Sequence, residues 1–151
     1  MRRPFSQPSM AGFSLIEVLV AVLILSIGLL GAAGLHTSSL RMNQSAWNTT
    51  QANLLAAGMV ETLRSNPRGV RAGDYDRELG LDPASGGGRA GREIDHWLDI
   101  LEARLPTDDG RVGGGIEVDG DVVTVEVAWL DARWEEDPEE RYRSVIVETE
   151  L

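Results

Sequence analysis

The chain contains no cysteine, and only 5% of its residues are aromatic. The lack of cysteine excludes disulfides, thiol chemistry and cysteine-ligated metal sites. With 151 residues, the part left after an apolar N-terminal run suffices for one small domain. That domain must be held together by the packing of helices and strands alone.

Basic residues are also scarce, since 14 Lys and Arg stand against 24 Asp and Glu, for a formal charge of −10. A surface that binds nucleic acid should be basic, so this balance argues against such a function. It argues equally against docking of the globular part on anionic lipid. The excess of acidic residues indicates a solvated, self-repelling surface.

Groupings of residues that carry chemistry are missing as well. His36 and His96 are isolated, and no ligand spacing typical of zinc is present. Asp108-Asp109-Gly110 and Asp119-Gly120-Asp121 lack the twelve-residue calcium pattern, and turn chemistry explains them better. No serine has the acid–base partners of a catalytic triad. The sequence therefore predicts a protein that is not an enzyme and needs no cofactor or metal.

Charge is almost absent between Phe13 and Leu35, where Glu17 is the single ionisable residue. About 20 apolar residues can cross a bilayer as a helix. Arg2 and Arg3 precede the run, so the positive-inside rule leaves the N-terminus cytoplasmic and the remainder on the other side. A carboxylate in hydrocarbon costs about 3 kcal/mol, which makes Glu17 a candidate functional residue that needs a partner.

Residues Gly12-Phe13-Ser14-Leu15-Ile16-Glu17 resemble the processing site of type IV prepilins. That site is a short basic leader ending in Gly, then Phe, two further residues, an apolar residue and Glu. The segment from Phe13 to Pro67 is similar to the PilV group of minor pilins. The elements that carry this similarity are Ile27-Gly28-Leu29-Leu30-Gly31, Ala33-Gly34-Leu35, Asn43-Gln44-Ser45-Ala46, Ala52-Asn53-Leu54-Leu55-Ala56 and Arg64-Ser65-Asn66-Pro67.

The resemblance implies how the N-terminus is processed and used. Residues 1–12 would be a leader that prepilin peptidase removes after Gly12, and the new N-terminus at Phe13 would be methylated. The chain would sit in the inner membrane with a periplasmic C-terminal part. It would then assemble with other minor and major pilins at the inner-membrane platform. The implied role is to prime a surface pilus within a tip complex, with adhesion and motility as consequences. The alternative for residues 13–35 is a plain, uncleaved membrane anchor.

Glu17 has two interpretations that do not exclude each other. Ser14 and Glu17 match a capping box, in which the carboxylate reaches back to the first amide of the helix. Following the resemblance, Glu17 would instead pair with the α-amine of Phe13, in a neighbouring subunit or in the same chain. Small residues at Gly28, Gly31 and Gly34 would let helices approach closely, or would mark a point where the helix can stretch.

Residues 36–66 are expected to continue the helix beyond the membrane, because no proline interrupts it before Asn66-Pro67. Apolar residues recur there at helical spacing and predict a face that packs on a sheet. They are Leu40, Trp47, Leu54, Leu55, Met59 and Leu63.

Residues 67–151 predict a small α+β domain with an antiparallel sheet of about three strands and one short extra helix. The hairpin is predicted from the Asp119-Gly120 pair between alternating apolar residues. The expected elements are a loop over 67–92, a helix over 93–105, a loop over 107–115, a hairpin over 116–130, an acidic connection over 135–140 and a third strand over Tyr142–Leu151.

Two other functions fit the same sequence. The first is a minor pseudopilin of type II secretion, of the GspI kind, which has a similar apolar segment. The second is a membrane-anchored periplasmic domain that binds or converts a small molecule. A pocket with perturbed carboxylates would favour the second.

Overall fold

The computed structural model describes residues 12–84, 87–107, 112–132, 137 and 141–151. The predicted leader before Gly12, Asp108-Asp109-Gly110 and most of the acidic connection lie outside these residues. The elements are α1 (Leu15–Arg64), α2 (Pro67–Arg71), β1 (Arg77–Gly80), α3 (Gly88–Arg104), β2 (Gly113–Asp119), β3 (Val122–Leu130) and β4 (Tyr142–Glu150). The predicted α+β class, with a long N-terminal helix on an antiparallel sheet, is confirmed.

Helix α1 begins directly after Ser14, whose hydroxyl accepts a hydrogen bond from Ile16 N at 3.3 Å. It ends at Arg64, just before the predicted stop at Asn66-Pro67. The chain divides into two compact units, one up to Met42 and one from Asn43 onward. In the first unit, every described residue is exposed, although most are apolar.

The second half of α1 buries one stripe of residues, two of which are alanines: Asn48, Ala52, Ala56, Met59, Val60 and Leu63. The expected stripe is therefore correct at Met59 and Leu63, and the partly buried Leu55 packs against the same core, but the stripe is wrong at its three other members. Leu40, Trp47 and Leu54 are 56%, 61% and 62% exposed. Ala52 and Ala56 lie on the face of α1 that is turned toward the core, and these three larger residues lie on other faces.

The sheet has four antiparallel strands in the order β1-β2-β3-β4, one more than expected. The additional strand, β1, lies in a segment predicted as a loop, and α2 precedes it there. The β2–β3 hairpin is confirmed, with Asp119 paired to Val122. Its turn residues are thus Gly120 and Asp121, and Gly120 has a φ of +63° that favours glycine.

Glycines 113–115 were predicted as part of a loop, but they belong to β2. A side chain at Gly114 would collide with the ring of Trp97, and one at Gly113 would collide with the backbone of Gly80. Gly113 also has a φ of +135°, which other residues rarely adopt. The glycines form a strand here because the indole of Trp97 packs directly on bare backbone.

The core lies between the sheet, the second half of α1 and helix α3, which begins at Gly88 rather than at residue 93. The predicted inner face of β3 is confirmed, because its four apolar residues are all buried: Val123, Val125, Val127 and Trp129. Trp97 of α3 joins this core, and its Nε1 donates to the carbonyl oxygen of Leu55 in α1 at 3.1 Å.

Candidate assembly and processing site

The proposed cleavage point lies immediately before α1. Gly12, Phe13 and Ser14 have no regular secondary structure, and the Phe13 side chain is 84% exposed. A bond between Gly12 and Phe13 is therefore outside the helix by two residues. An extended and accessible backbone is what a peptidase requires.

Glu17 lies in the first turn of α1 and is exposed. Its backbone N–H donates to the Ser14 carbonyl at 3.1 Å, so it participates in helix initiation. The Ser14 hydroxyl caps the helix at Ile16 N instead of at Glu17 N, so the described residues do not form the predicted capping box. Within the described part of the chain, the Glu17 side chain makes no hydrogen bond or ion pair. Its carboxylate is thus available to a group outside the described residues.

The glycines at 28, 31 and 34 do not interrupt the helix, which is continuous from Leu15 to Arg64. A Cβ atom added to any of them would meet nothing within 4 Å. These glycines are therefore not required by packing within the described chain. Any packing role must be toward groups outside the described residues.

Asp131 connects the second half of α1 to the sheet. Its side chain is 5% exposed, and its Oδ2 accepts from Ser45 Oγ at 2.7 Å and from Arg143 Nε at 2.9 Å. Trp129 Nε1 donates to its other oxygen at 3.3 Å. A buried carboxylate needs such donors. The Ser45 contact gives a structural role to one residue of the Asn43–Ala46 element.

A second polar network holds the end of α1. Tyr75 is fully buried, and its hydroxyl donates to Glu93 Oε2 and accepts from Asn66 Nδ2 at 2.9 Å. Arg89 donates to Glu93 Oε1 at 2.8 Å and to Ser65 Oγ at 2.7 Å. Nothing in the sequence pattern pointed to this network, because its members are distant along the chain.

The same network shifts the pKa values of Tyr75, Glu93 and Arg89, and the hydrogen bond to Glu93 raises that of Arg89. Burial and the hydrogen bond to Glu93 raise the pKa of Tyr75 above its ordinary value. Burial raises the pKa of Glu93, but the hydrogen bonds from Tyr75 and Arg89 outweigh it, so the pKa lies below its usual range. The lowered pKa of Glu93 means that its ionised form stabilises the junction between α1, α3 and the segment between them.

A hollow of about 960 Å³ lies beside β1. Its acidic lining residues are Asp74, Asp76, Glu78, Asp82, Glu117 and Glu126. Arg77 Nη1 is the one buried side-chain nitrogen or oxygen in the described residues without a hydrogen-bond partner. Burial lowers the pKa of Arg77, although the charges of Asp82 and Asp95 oppose this. A binding domain would be favoured by a pocket lined with carboxylates whose pKa values are shifted. Glu93, the carboxylate with a shifted pKa, does not line this hollow.

No cluster of three or more metal-binding side chains occurs in the described ranges. His36 and His96 are not brought together with other candidate ligands there. Their isolation in the sequence therefore persists in the described fold.

Comparison with protein families gives one match, which covers residues 8–33 and is described as the prokaryotic N-terminal methylation motif. Comparisons with curated proteins and with solved structures gave no match. In the described residues, α1 is long and apolar enough to cross a membrane. The chain is therefore similar to type IV pilins and pseudopilins at its N-terminus, and membrane anchoring is consistent with its first helix.

Proposed function

We propose that this chain is a minor pilin of the PilV type, a non-enzymatic subunit that primes assembly of a type IV pilus. One observation carries the proposal. A methylation motif over residues 8–33 leads into a helix whose first half is apolar and entirely exposed. Exposed apolar surface of this extent is not stable in water, so it requires lipid or other subunits.

The processing steps follow from the motif and from the exposure of its residues. Prepilin peptidase would cut between Gly12 and Phe13, and the new amine at Phe13 would be methylated. The Glu17 carboxylate, which has no partner within the described chain, would pair with the Phe13 amine of a neighbouring subunit. Gly28, Gly31 and Gly34 would form a smooth surface for contact with neighbouring helices.

The proposed route is from the inner membrane, with the domain in the periplasm, into a surface pilus. The partners would be other minor and major pilins and the inner-membrane assembly platform. A minor pseudopilin of type II secretion would share the same N-terminal chemistry, and it differs in the machine that it serves.

Mass spectrometry of pili sheared from the native host tests the proposal. We expect to find this chain there with a methylated Phe13 at its N-terminus. A processed chain confined to the membrane fraction, in a host that makes pili, would favour the pseudopilin. An intact Met1 terminus would show that residues 13–35 are a plain anchor.

A further inference from the structure

The two edges of the sheet differ in how well they are protected. β1 has only four residues, and its pairing with β2 shifts register between Arg77 and Gly80. Arg77 Nη2 also donates to the carbonyl oxygens of Gly80 and Asp82, at 3.1 and 3.2 Å. Short length, irregular pairing and a charged side chain across the backbone are features that block the addition of another strand.

The opposite edge, β4, has none of these protections. It has nine residues, and it pairs with β3 without interruption from Tyr142 to Glu150. No described strand lies beyond it. A long and regular edge of this kind is a template for pairing with another chain.

The hydrogen bonds at its two ends show which backbone groups face outward. Asp131 N donates to Arg141 O at 2.8 Å, and Leu151 N donates to Asp121 O at 2.9 Å. The odd-numbered residues of β4 therefore point their N–H and C=O groups toward β3. In an antiparallel pair the direction alternates, so Ser144, Ile146 and Glu148 point theirs away from the sheet.

The side chains of these residues define what could pair there. Ile146 is 61% exposed, at the midpoint of β4, and lies beside Glu126 of β3. Glu148 and Glu150 follow on the same face. A complementary strand would thus present an apolar or β-branched residue to Ile146 and basic residues to the two glutamates.

A second copy of this chain does not meet that requirement. In a two-fold antiparallel pairing of β4 with itself, facing residues belong to the same face of the sheet. Arg143 lies on the other face from Glu148, so no arginine can stand directly opposite it. Pairing with β1 of a second copy is opposed by the protection of that edge.

We propose that β4 accepts an antiparallel strand from a different subunit of the assembly, with an apolar residue beside Ile146 and a basic residue beside Glu148. This inference rests on the proposed function, which supplies other anchored subunits as partners. Backbone hydrogen bonds from Ser144, Ile146 and Glu148 would provide affinity, and the glutamates would select the partner.

The absence of cysteine permits a direct test in the full chain in its native host. A single Ile146→Cys variant is labelled with a thiol-reactive benzophenone and photolysed in assembling cells. Leu79→Cys, on the protected edge, is the matched control. We expect the label at position 146, but not at position 79, to crosslink the chain to a second subunit that carries a basic strand.

Two further substitutions separate the contribution of the backbone hydrogen bonds from that of the Glu148 charge. Glu148→Pro removes an outward N–H without removing a bond to β3, and we expect it to lower the crosslinked fraction about tenfold. Glu148→Thr keeps the N–H, and a two- to threefold decrease, on the order of one lost ion pair, is expected. Ser144→Pro repeats the backbone test at a second outward position, and thermal melts of each variant confirm folding.

Equal crosslinking from position 79, a homodimer as the product, no crosslink, or indifference to both prolines would overturn the inference. The N-terminal peptide is sequenced in the same samples. A methylated Phe13 with no crosslink from position 146 would refute strand addition and leave the proposed function standing. An intact Met1 would refute the proposed function itself.

Discussion

The two halves of α1 have different relationships to the rest of the molecule. Up to Met42 every described residue of the helix is exposed, and nearly all of those from Val18 to Leu35 are apolar. From Asn43 onward it buries a single stripe centred on alanines and leaves Trp47 and Leu54 exposed. The first half of this continuous helix is thus exposed to its surroundings, whereas the second half packs on the core of the same chain. Substitutions in the first half should therefore change assembly, and substitutions in the second half should change the free energy of unfolding.

The largest effect is expected in the first half, on assembly. Glu17→Leu should leave membrane insertion intact and reduce incorporation into filaments more than about a hundredfold. The reason is that the Phe13 amine of the neighbouring subunit would lose its partner, and an unpaired buried charge costs several kcal/mol. Quantitative immunoblots of sheared filaments and membranes measure this. Ser14→Ala is the matched control, because it removes the cap contact seen with Ile16 and retains the carboxylate. Equal loss in both variants would assign Glu17 to capping, and normal incorporation of Glu17→Leu would refute the pairing.

The next effect is expected in the second half, on stability. Leu63 is fully buried, so Leu63→Ala should lower the free energy of unfolding by about 2–5 kcal/mol. Leu54→Ala makes the same chemical change at an exposed position and should alter it by less than about 0.5 kcal/mol. Chemical denaturation of the detergent-solubilised chain compares them. Similar losses at both positions would contradict the packing described for α1.

A smaller effect is expected where Ser45 meets the sheet. Asp131→Ala leaves the Ser45 hydroxyl and the Trp129 indole without their acceptor and should cost about 1–3 kcal/mol. Ser45→Ala removes one donor and should cost about 1 kcal/mol. In a double-mutant cycle the two losses should not add, because the residues share one hydrogen bond. Additive losses would mean that the contact contributes nothing.

The smallest effect is the pH dependence of the network at the end of α1. The pKa of Glu93 is lower in the folded chain, so its contribution to stability is present above the ordinary carboxyl pKa. That contribution is lost as the pH falls through the lowered value, below about pH 4. Thermal melts between about pH 3 and about pH 7, which span the titration of carboxyl groups, should show that the melting temperature of Glu93→Gln falls less steeply with acid than that of the unchanged chain. An unchanged slope would show that other carboxylates dominate.

The sequence allowed correct prediction of the features that depend on local patterns. The cap at Ser14 and the end of α1 before Asn66-Pro67 follow from local chemistry, as does the hairpin after Asp119. Alternation in β3 predicted its buried face correctly. Each of these features depends on residues close together along the chain.

The features that were missed depend on contacts between distant residues. Gly114 belongs to a strand because Trp97, from α3, packs on it, and a run of glycines does not reveal that contact. Trp47 and Leu54 were expected in the core, whereas Ala52 and Ala56 occupy it. Hydrophobicity alone favours the larger side chains, and it does not show which face of α1 is turned toward the rest of the domain.

The exposure of Trp47 makes the protein its own optical reporter. Trp97 and Trp129 are 6% and 1% exposed, whereas Trp47 is 61% exposed. Indole emission moves to shorter wavelengths when water is excluded, so Trp47 should dominate the red edge of the spectrum among these three. Association of a partner with this face of α1 would shift that edge while the emission of the two core tryptophans stayed constant. Binding at Trp47 and unfolding of the core would thus change different parts of the emission of these three tryptophans.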